Sequence, residues 1–237
     1  MARLGVIGGL GPMATAYFME LMIRMTDVQQ DQEHPEIIVL NFPSVPDRTA
    51  YLLGKSQDDP LAPMVEMGRQ LKALGATVVA TPCITAHYFH QALQKGVDLP
   101  VIDAIRATVE LLCSAGVQKV GLLASDGTVQ SRIFQQRIEE YGMELILPSR
   151  EGQRGVMKLI YDQIKAGVEP DMTLFADLRD ELYRAGAEII VLGCTELSLL
   201  KKDHDLGNGI LDALEVLAKE SVLACGKTVR EEYTKLI

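Results

Sequence analysis

The feature that most constrains the fold is a pair of matching segments, residues 75–87 (GATVVATPCITAH) and 186–196 (GAEIIVLGCTE). In each segment a glycine precedes a short apolar run, which stops at a small or cyclic residue followed directly by a cysteine. Short apolar runs bounded in this way are typical of buried strands in a parallel sheet. The pattern therefore predicts that Cys83 and Cys194 each follow the carboxyl end of a strand, where open α/β sheets place their ligands.

Two further segments repeat in the same order and indicate an internal duplication. The stretch RLGVIGGLGP at 3–12 is answered by KVGLLASDGT at 119–128, and VIDA at 101–104 is answered by ILDA at 210–213. Two long copies differ from a solenoid, whose units are shorter and more numerous. The sequence therefore predicts an α/β fold of two similar doubly wound parallel-sheet lobes that face each other across a cleft.

Strand and helix patterns alternate along both copies. The predicted strands are 4–8, 36–41, the runs before Cys83 and Cys194, 99–103, a run from 119 and a run from 210. The predicted helices are 13–25, a helix ending at 74, 104–115, 129–141, 152–166, 172–185 and one from 213 to about 225. Asp103 can cap the helix that links the lobes, and the last helix is expected to return to the first lobe. The predicted lobes are thus 1–103 with 211–237, and 104–210.

Composition and charge narrow the classes of function. The net charge of −9 and the pI near 5.0 argue against a nucleic-acid or anionic-membrane surface. The sequence shows no apolar run of about 18 residues and no signal-peptide pattern, so we expect a cytoplasmic protein without a membrane partner. Widely spaced cysteines favour reduced thiols over a disulfide scaffold or a zinc site. Cys113 and Cys225 lie in helical apolar patterns and are predicted to be buried structural thiols.

The turn after the first predicted strand carries part of a dinucleotide-binding fingerprint. Gly9, Gly11 and Ala14 spell G-x-G-x-x-A between a strand and a helix. That fingerprint needs an acidic residue at the end of the next strand to hold a ribose, and the residue there is Asn41. The sequence instead favours a tight turn in which Gly11 lets the backbone approach a small ligand at a helix N-terminus. No cofactor is expected.

Two thiols at equivalent positions suit a reaction that is itself nearly mirror-symmetric. In racemisation, one thiolate removes the Cα proton of an amino acid and the opposite thiol delivers a proton to the other face. The working thiolate is expected to have a pKa lowered by helix N-termini or nearby donors. The hydroxyls of Thr85 and Thr195, with backbone N–H groups after each cysteine, are candidates to stabilise the carbanion.

Several motifs, taken together, resemble the aspartate/glutamate racemase family, and specifically its aspartate racemase-like branch. They are GGLGP, DQEHP at 31–35, PDRT at 46–49, PCxTAH and GCTE, and they follow the family's order along essentially the whole chain. The resemblance implies a cofactor-independent racemase of an acidic amino acid, with aspartate first, that acts as a homodimer. It implies that Cys83 and Cys194 are the catalytic pair, and that Arg48 and Lys165 hold the side-chain carboxylate of the substrate.

One position departs from the family pattern. Ile84 stands where the family normally has an asparagine, which is expected to hydrogen-bond the substrate. Loss of one positioned donor costs about 10²–10³ in rate when that donor meets transition-state charge. Three interpretations stay open at this point: weaker aspartate racemisation, a different substrate, or a protein that binds without turning over.

Two polar neighbours of the cysteines have competing interpretations. Glu196 stands where related glutamate racemases carry a histidine, so it is either a proton relay for Cys194 or a carboxylate at a helix N-terminus. His87 either orients the Cys83 loop or packs as a hydrogen-bonded side chain. A thiol redox or decarboxylating enzyme is a further hypothesis for the whole chain, and a redox enzyme would cycle a disulfide between the two cysteines.

Overall fold

The repeated sequence motifs form equivalent strands in two parallel sheets. The structure is a computed structural model, and it describes residues 2–237. The first sheet has the order β2-β1-β3, with β1 at Leu4–Gly8, β2 at Ile37–Asn41 and β3 at Val78–Ala80. The second has the order β5-β4-β6-β7, with β4 at Lys119–Leu123, β5 at Glu144–Ile146, β6 at Ile189–Leu192 and β7 at Ile210–Asp212. The predicted α/β fold with two parallel sheets is confirmed.

Several of the helices that cover these sheets lie close to the predicted positions, but Arg48–Leu52 and His90–Val97 are helices that the sequence did not predict. The helices are α1 Pro12–Met25, α2 Arg48–Leu52, α3 Leu61–Ala73, α4 His90–Val97, α5 Ala104–Ser114, α6 Asp126–Gln130, α7 Ile133–Glu140, α8 Arg150–Met157, α9 Met172–Arg184, α10 Thr195–Asp203 and α11 Ala213–Ala224. Shorter 3₁₀ turns lie at Asp31–Glu33, Thr85–Phe89 and Glu231–Tyr233. Of the helices in the described chain, none is long and apolar enough to cross a bilayer.

Three sequence predictions of secondary structure are wrong in detail. The segment 99–103 makes a single parallel bridge, Val79 to Val101, whereas its counterpart β7 pairs with β6 along its whole length. Pro100 lacks an N–H group and cannot extend a ladder. The predicted helix 129–141 is interrupted by Arg132, which has a φ of 58°. The predicted helix 152–166 begins earlier and continues past Met157 as a π-helical segment, Lys158–Ile164.

One hydrophobic core joins the two halves of the chain. β1 is buried along its whole length, as expected for a central parallel strand covered on both faces. Helix α11 packs against α1 and against α5, and residues of both sheets meet in the same core cluster. The division into lobes 1–103 with 211–237 and 104–210 stays a prediction.

The two cysteines outside the repeated motifs differ in burial. Cys225 is buried at the end of α11, but Cys113 is exposed, which corrects the prediction made for it. The buried stripe of α5 includes Val109 and Leu112. Cys113 falls one residue beyond that stripe, so the helical rotation turns its side chain outward.

Candidate active site

Cys83 and Cys194 line one cavity between the two halves of the chain. Cys83 lies three residues beyond β3 and Cys194 two residues beyond β6, so equivalent strand ends bring them together. Each is only 6% exposed. The walls of this cavity also include Arg48, Ile84 and Lys165.

Cys194 is held as a protonated thiol. Its Sγ donates a hydrogen bond of 3.0 Å to Oε2 of Glu196, which is itself buried. Burial raises the pKa of the Cys194 thiol well above its usual range, and the Glu196 carboxylate raises it further, although Lys165 opposes them. The expectation of a lowered thiol pKa is therefore wrong for this cysteine, because a carboxylate and not a cation is its nearest polar neighbour.

Lys165 is paired with Glu196 across the cavity. Its Nζ lies 3.0 Å from Oε1 of Glu196 and 4.9 Å from the centroid of the Tyr161 ring. Burial disfavours the charged ammonium, but the Glu196 carboxylate more than offsets it, so the pKa of Lys165 is raised. Lys165 therefore stays charged, and Glu196 stands between this cation and the thiol of Cys194.

Arg48 accompanies the other cysteine. Its guanidinium is 7% exposed and donates to three backbone carbonyls, those of Leu10 (2.7 Å), Pro46 (2.9 Å) and Val45 (3.2 Å). Burial acts to lower its pKa, but the neighbouring Cys83 and Asp47 side chains outweigh burial and raise it. The buried Nε has no hydrogen-bond partner within residues 2–237, so it can donate to a ligand in the cavity.

Hydroxyl groups from both halves form a cluster beside the cavity. Thr85 Oγ1 lies 3.0 Å from Ser125 Oγ and 2.9 Å from Thr128 Oγ1, and Thr49 donates to Ser125 over 3.2 Å. The hydroxyl of Thr85 is thus engaged in joining the two halves. Thr195 lies beside the other cysteine, where its hydroxyl is 3.5 Å from Oε2 of Glu196.

A second contact between the halves closes over the cavity. Tyr161, in the π-helical segment, donates to both carboxylate oxygens of Asp47, at 3.3 and 3.2 Å. Burial raises the pKa of Tyr161, so its hydroxyl keeps the proton that it donates. Sequence reasoning missed these two residues and Ser125. PDRT contains Asp47 and the repeat contains Ser125, whereas nothing in the local sequence distinguishes Tyr161.

Three further predicted residues lie at or near the cavity, and each has a different environment: Ile84, His87 and Gly11. Ile84 is 1% exposed, so the branched side chain both lines the cavity and belongs to the shared core. His87 is buried, and its Nδ1 lies 3.0 Å from the carbonyl of Cys83, so Nδ1 carries the proton and fixes the loop. Burial lowers the pKa of His87. Gly11 lies outside the inner cavity, where an added Cβ would stand 3.0 Å from Oε1 of Glu196.

Solved structures with this two-sheet architecture define the class of protein. The aspartate racemase of Picrophilus torridus superimposes with a TM-score of 0.83, at 26% identity and with 98% of each chain covered. The glutamate racemase of Francisella tularensis, in complex with D-glutamate, shares the fold with a TM-score of 0.63 at 16% identity, over 94% of this chain and 80% of that one.

Sequence comparison gives the family. The Asp/Glu/hydantoin racemase family matches residues 7–221, and the chain belongs to this family. The chain is similar over nearly its whole length to the broad specificity amino-acid racemase RacX of Bacillus subtilis. The two are 24% identical over 226 residues, which are 92% of this chain and 96% of RacX. The family predicted from the sequence motifs is confirmed.

Proposed function

We propose that this chain racemises an amino acid by transferring protons between Cα and the two thiols of Cys83 and Cys194, without a cofactor. The observation that carries the proposal is that both buried thiols line one cavity from equivalent strand ends. Membership of a racemase family supports the reaction class. A planar carbanion between two acid–base groups can be protonated from either face, which is what racemisation requires.

The unequal surroundings of the two thiols suggest their starting states. Cys83 faces the Arg48 cation, so it is the proposed thiolate, and Cys194 shares its proton with Glu196, so it is the proposed acid. The Cα–H bond breaks as an S–H bond forms at Cys83, and the S–H bond of Cys194 breaks as a new Cα–H bond forms on the opposite face. The two thiols have then exchanged states, and the reverse reaction restores them.

The remaining residues act on the thiols or on the substrate in this proposal. Glu196 accepts the hydrogen bond of the Cys194 thiol and so orients its proton. Lys165 fixes the Glu196 carboxylate through their ion pair. The Nε donor of Arg48 is placed to bind a substrate carboxylate. Thr195 lies next to Cys194, where its hydroxyl can turn toward developing charge, while Thr85 positions the Cys83 loop against the other half.

The substrate has two candidates. Aspartate is the one implied by the sequence resemblance, in which Arg48 and Lys165 hold the second carboxylate. A different amino acid is favoured by Ile84, which brings an apolar side chain into the cavity, and by the broad specificity that the name of RacX states for that relative. The predicted homodimer and cytoplasmic location remain predictions.

The test is deuterium incorporation at Cα, with enantiomer interconversion, for a panel of L- and D-amino acids in D₂O under reducing conditions. Cys83→Ala and Cys194→Ala are each expected to lose interconversion. Cys113→Ala, at an exposed thiol away from the cavity, is the matched control and should keep it. Unchanged interconversion in either active-site variant would contradict the proposal. Binding without any exchange would instead indicate a silent binding protein, and a reversible disulfide between the two site cysteines during turnover would indicate a redox enzyme.

A further inference from the structure

A second, larger chamber adjoins the cavity that holds the thiols. The outer chamber is the larger of the two. Arg48, Lys165 and Glu196 line both, so these three side chains form the junction between the inner cavity and the outer chamber. Among the described residues, no cysteine lines the outer chamber. It therefore cannot hold the reacting carbon, but it can hold a group attached to that carbon.

The charges at the junction are already matched. Lys165 is paired with Glu196 at 3.0 Å, and the other two charged residues at the junction are Arg48 and Asp47. Two cations and two carboxylates cancel formally. Three of the five N–H groups of Arg48 are also bonded to backbone carbonyls, which leaves the Nε–H and one Nη2–H for one substrate carboxylate. A second carboxylate on the substrate would have to break an existing pair to be compensated.

The walls beyond the junction are mainly apolar. Val45, Ile164 and Leu199 line the outer chamber from three different segments, and Met13 lines it from the first turn of α1. Such walls favour hydrocarbon, because each methylene group moved from water onto an apolar surface adds to the binding free energy. They give a second charged group nothing to pair with.

We infer that the outer chamber is the side-chain subsite, and that the substrate is an amino acid with an unbranched apolar side chain longer than that of aspartate. This inference rests on the proposed racemisation. The α-carboxylate takes the Nε of Arg48, Cα lies between the thiols, and the side chain passes the Lys165–Glu196 pair into the outer chamber. Norleucine is the simplest probe of this class, since it has the length and carries no second charge.

The experiment compares Cα exchange of L-norleucine, L-alanine and L-aspartate with the wild-type protein. The expected kcat/KM for norleucine is at least tenfold above the values for the other two. An aspartate or alanine value equal to that of norleucine would overturn the subsite while leaving the racemase proposal standing. Exchange with none of the three but with another amino acid of the panel would overturn the subsite alone, and exchange with no amino acid of the panel would overturn both.

Filling the chamber gives an independent measurement. Leu199→Phe is expected to lower the ratio of norleucine to alanine exchange at least fivefold, and Met13→Trp, at a side chain that is 63% exposed and so tolerant of size, should lower it in the same direction. Leu223→Phe, an exposed leucine on α11, is the matched control. A ratio that is unchanged in both chamber variants would exclude this chamber as the subsite.

Discussion

The two halves of the molecule place the same motif in different electrostatic surroundings. Cys83 precedes a short 3₁₀ turn and has Arg48 as its charged neighbour, whereas Cys194 is the N-terminal cap residue of α10 and bonds to Glu196. The backbone positions are equivalent, but a cation accompanies one thiol and a carboxylate the other. The difference shows that the two halves share equivalent strand ends but place unlike charges beside them.

The helix caps repeat this pattern away from the cavity. Asp103 and Asp212 occupy equivalent positions and cap α5 and α11. Asp212 is fully buried, and its Oδ1 accepts from Ser198 Oγ at 2.7 Å and Leu214 N at 2.8 Å. Burial, followed by the nearby Glu215 carboxylate, raises the pKa of Asp212 to about 7. The local sequence therefore determines that both aspartates cap a helix, whereas the elements packed around each aspartate determine whether it is buried.

The largest expected effect comes from making the two thiols more alike. Glu196→Gln removes the negative charge beside Cys194, so the pKa of this thiol should fall, and the carboxylate that orients its proton is lost. Racemisation should drop by about 100-fold, the usual scale for an acid–base group. Alkylation by iodoacetamide as a function of pH, followed by mass spectrometry, should show Cys194 reacting at lower pH than in the wild type.

The matched control for that change is Glu215→Gln. Glu215 pairs with Lys201 at 2.7 Å and lies outside both chambers, so its loss removes a similar ion pair without touching the thiols. An equal loss of racemisation in the two variants would mean that the effect of Glu196 is on folding and not on Cys194.

The second prediction concerns the buried cap. The folded-state pKa of Asp212 is about 7, and an unfolded aspartate titrates near 3.9, so folded protein binds the proton more tightly. That stabilisation is complete below the unfolded pKa and is lost as pH rises through the folded pKa. Asp212→Asn keeps the cap, and it should reduce the fall in unfolding free energy between pH 5 and 8 by about 2 kcal/mol. Urea denaturation across that range measures it.

Asp103→Asn tests whether burial is the cause. The Asp103 side chain is 17% exposed and lies 3.9 Å from Arg137, which makes this substitution the matched control for the buried cap. An equal change in the pH dependence of the unfolding free energy in both variants would show that burial does not distinguish the two caps.

A third prediction compares the equivalent glycines Gly127 and Gly11. A Cβ on Gly127 would lie 2.8 Å from the Cα of Thr49, so Gly127→Ala pushes the two halves apart. We expect a loss of about 1–3 kcal/mol in unfolding free energy, as for other overpacked contacts. Gly11→Ala meets only the movable end of Glu196, so it should cost less stability and reduce racemisation a few-fold. Thermal denaturation and the exchange assay on both variants measure these effects. A larger loss of stability in Gly11→Ala than in Gly127→Ala would contradict the prediction.

The smallest expected effect is at Ile84, the residue that follows Cys83. Ile84→Val removes one buried methylene and should cost about 1 kcal/mol, because Ile84 is 1% exposed. Ile84→Asn buries a polar amide and should destabilise the protein by about 1–3 kcal/mol, but it adds a donor to the cavity. Exchange of aspartate should then rise relative to the wild type, and a decrease in step with stability would show that Ile84 acts only in packing.

Local sequence patterns determined where the strands end and which residues repeat. The apolar runs before Cys83 and Cys194, the cap at Asp103 and the racemase motifs were sufficient to predict the fold and the family, because each depends on neighbours within a few residues. The same patterns misjudged Cys113 and the segment 99–103, where one step of helical rotation or one proline changed the outcome.

Only the tertiary structure decided the chemistry around the thiols. The Cys194 proton depends on Glu196, which depends on Lys165, and Arg48 is fixed by a carbonyl 38 residues away. The contact from Tyr161 to Asp47 spans 114 residues. Burial and charge pairing set pKa values, and both depend on which distant segments meet. The sequence placed two like cysteines at like strand ends, and packing made them unlike.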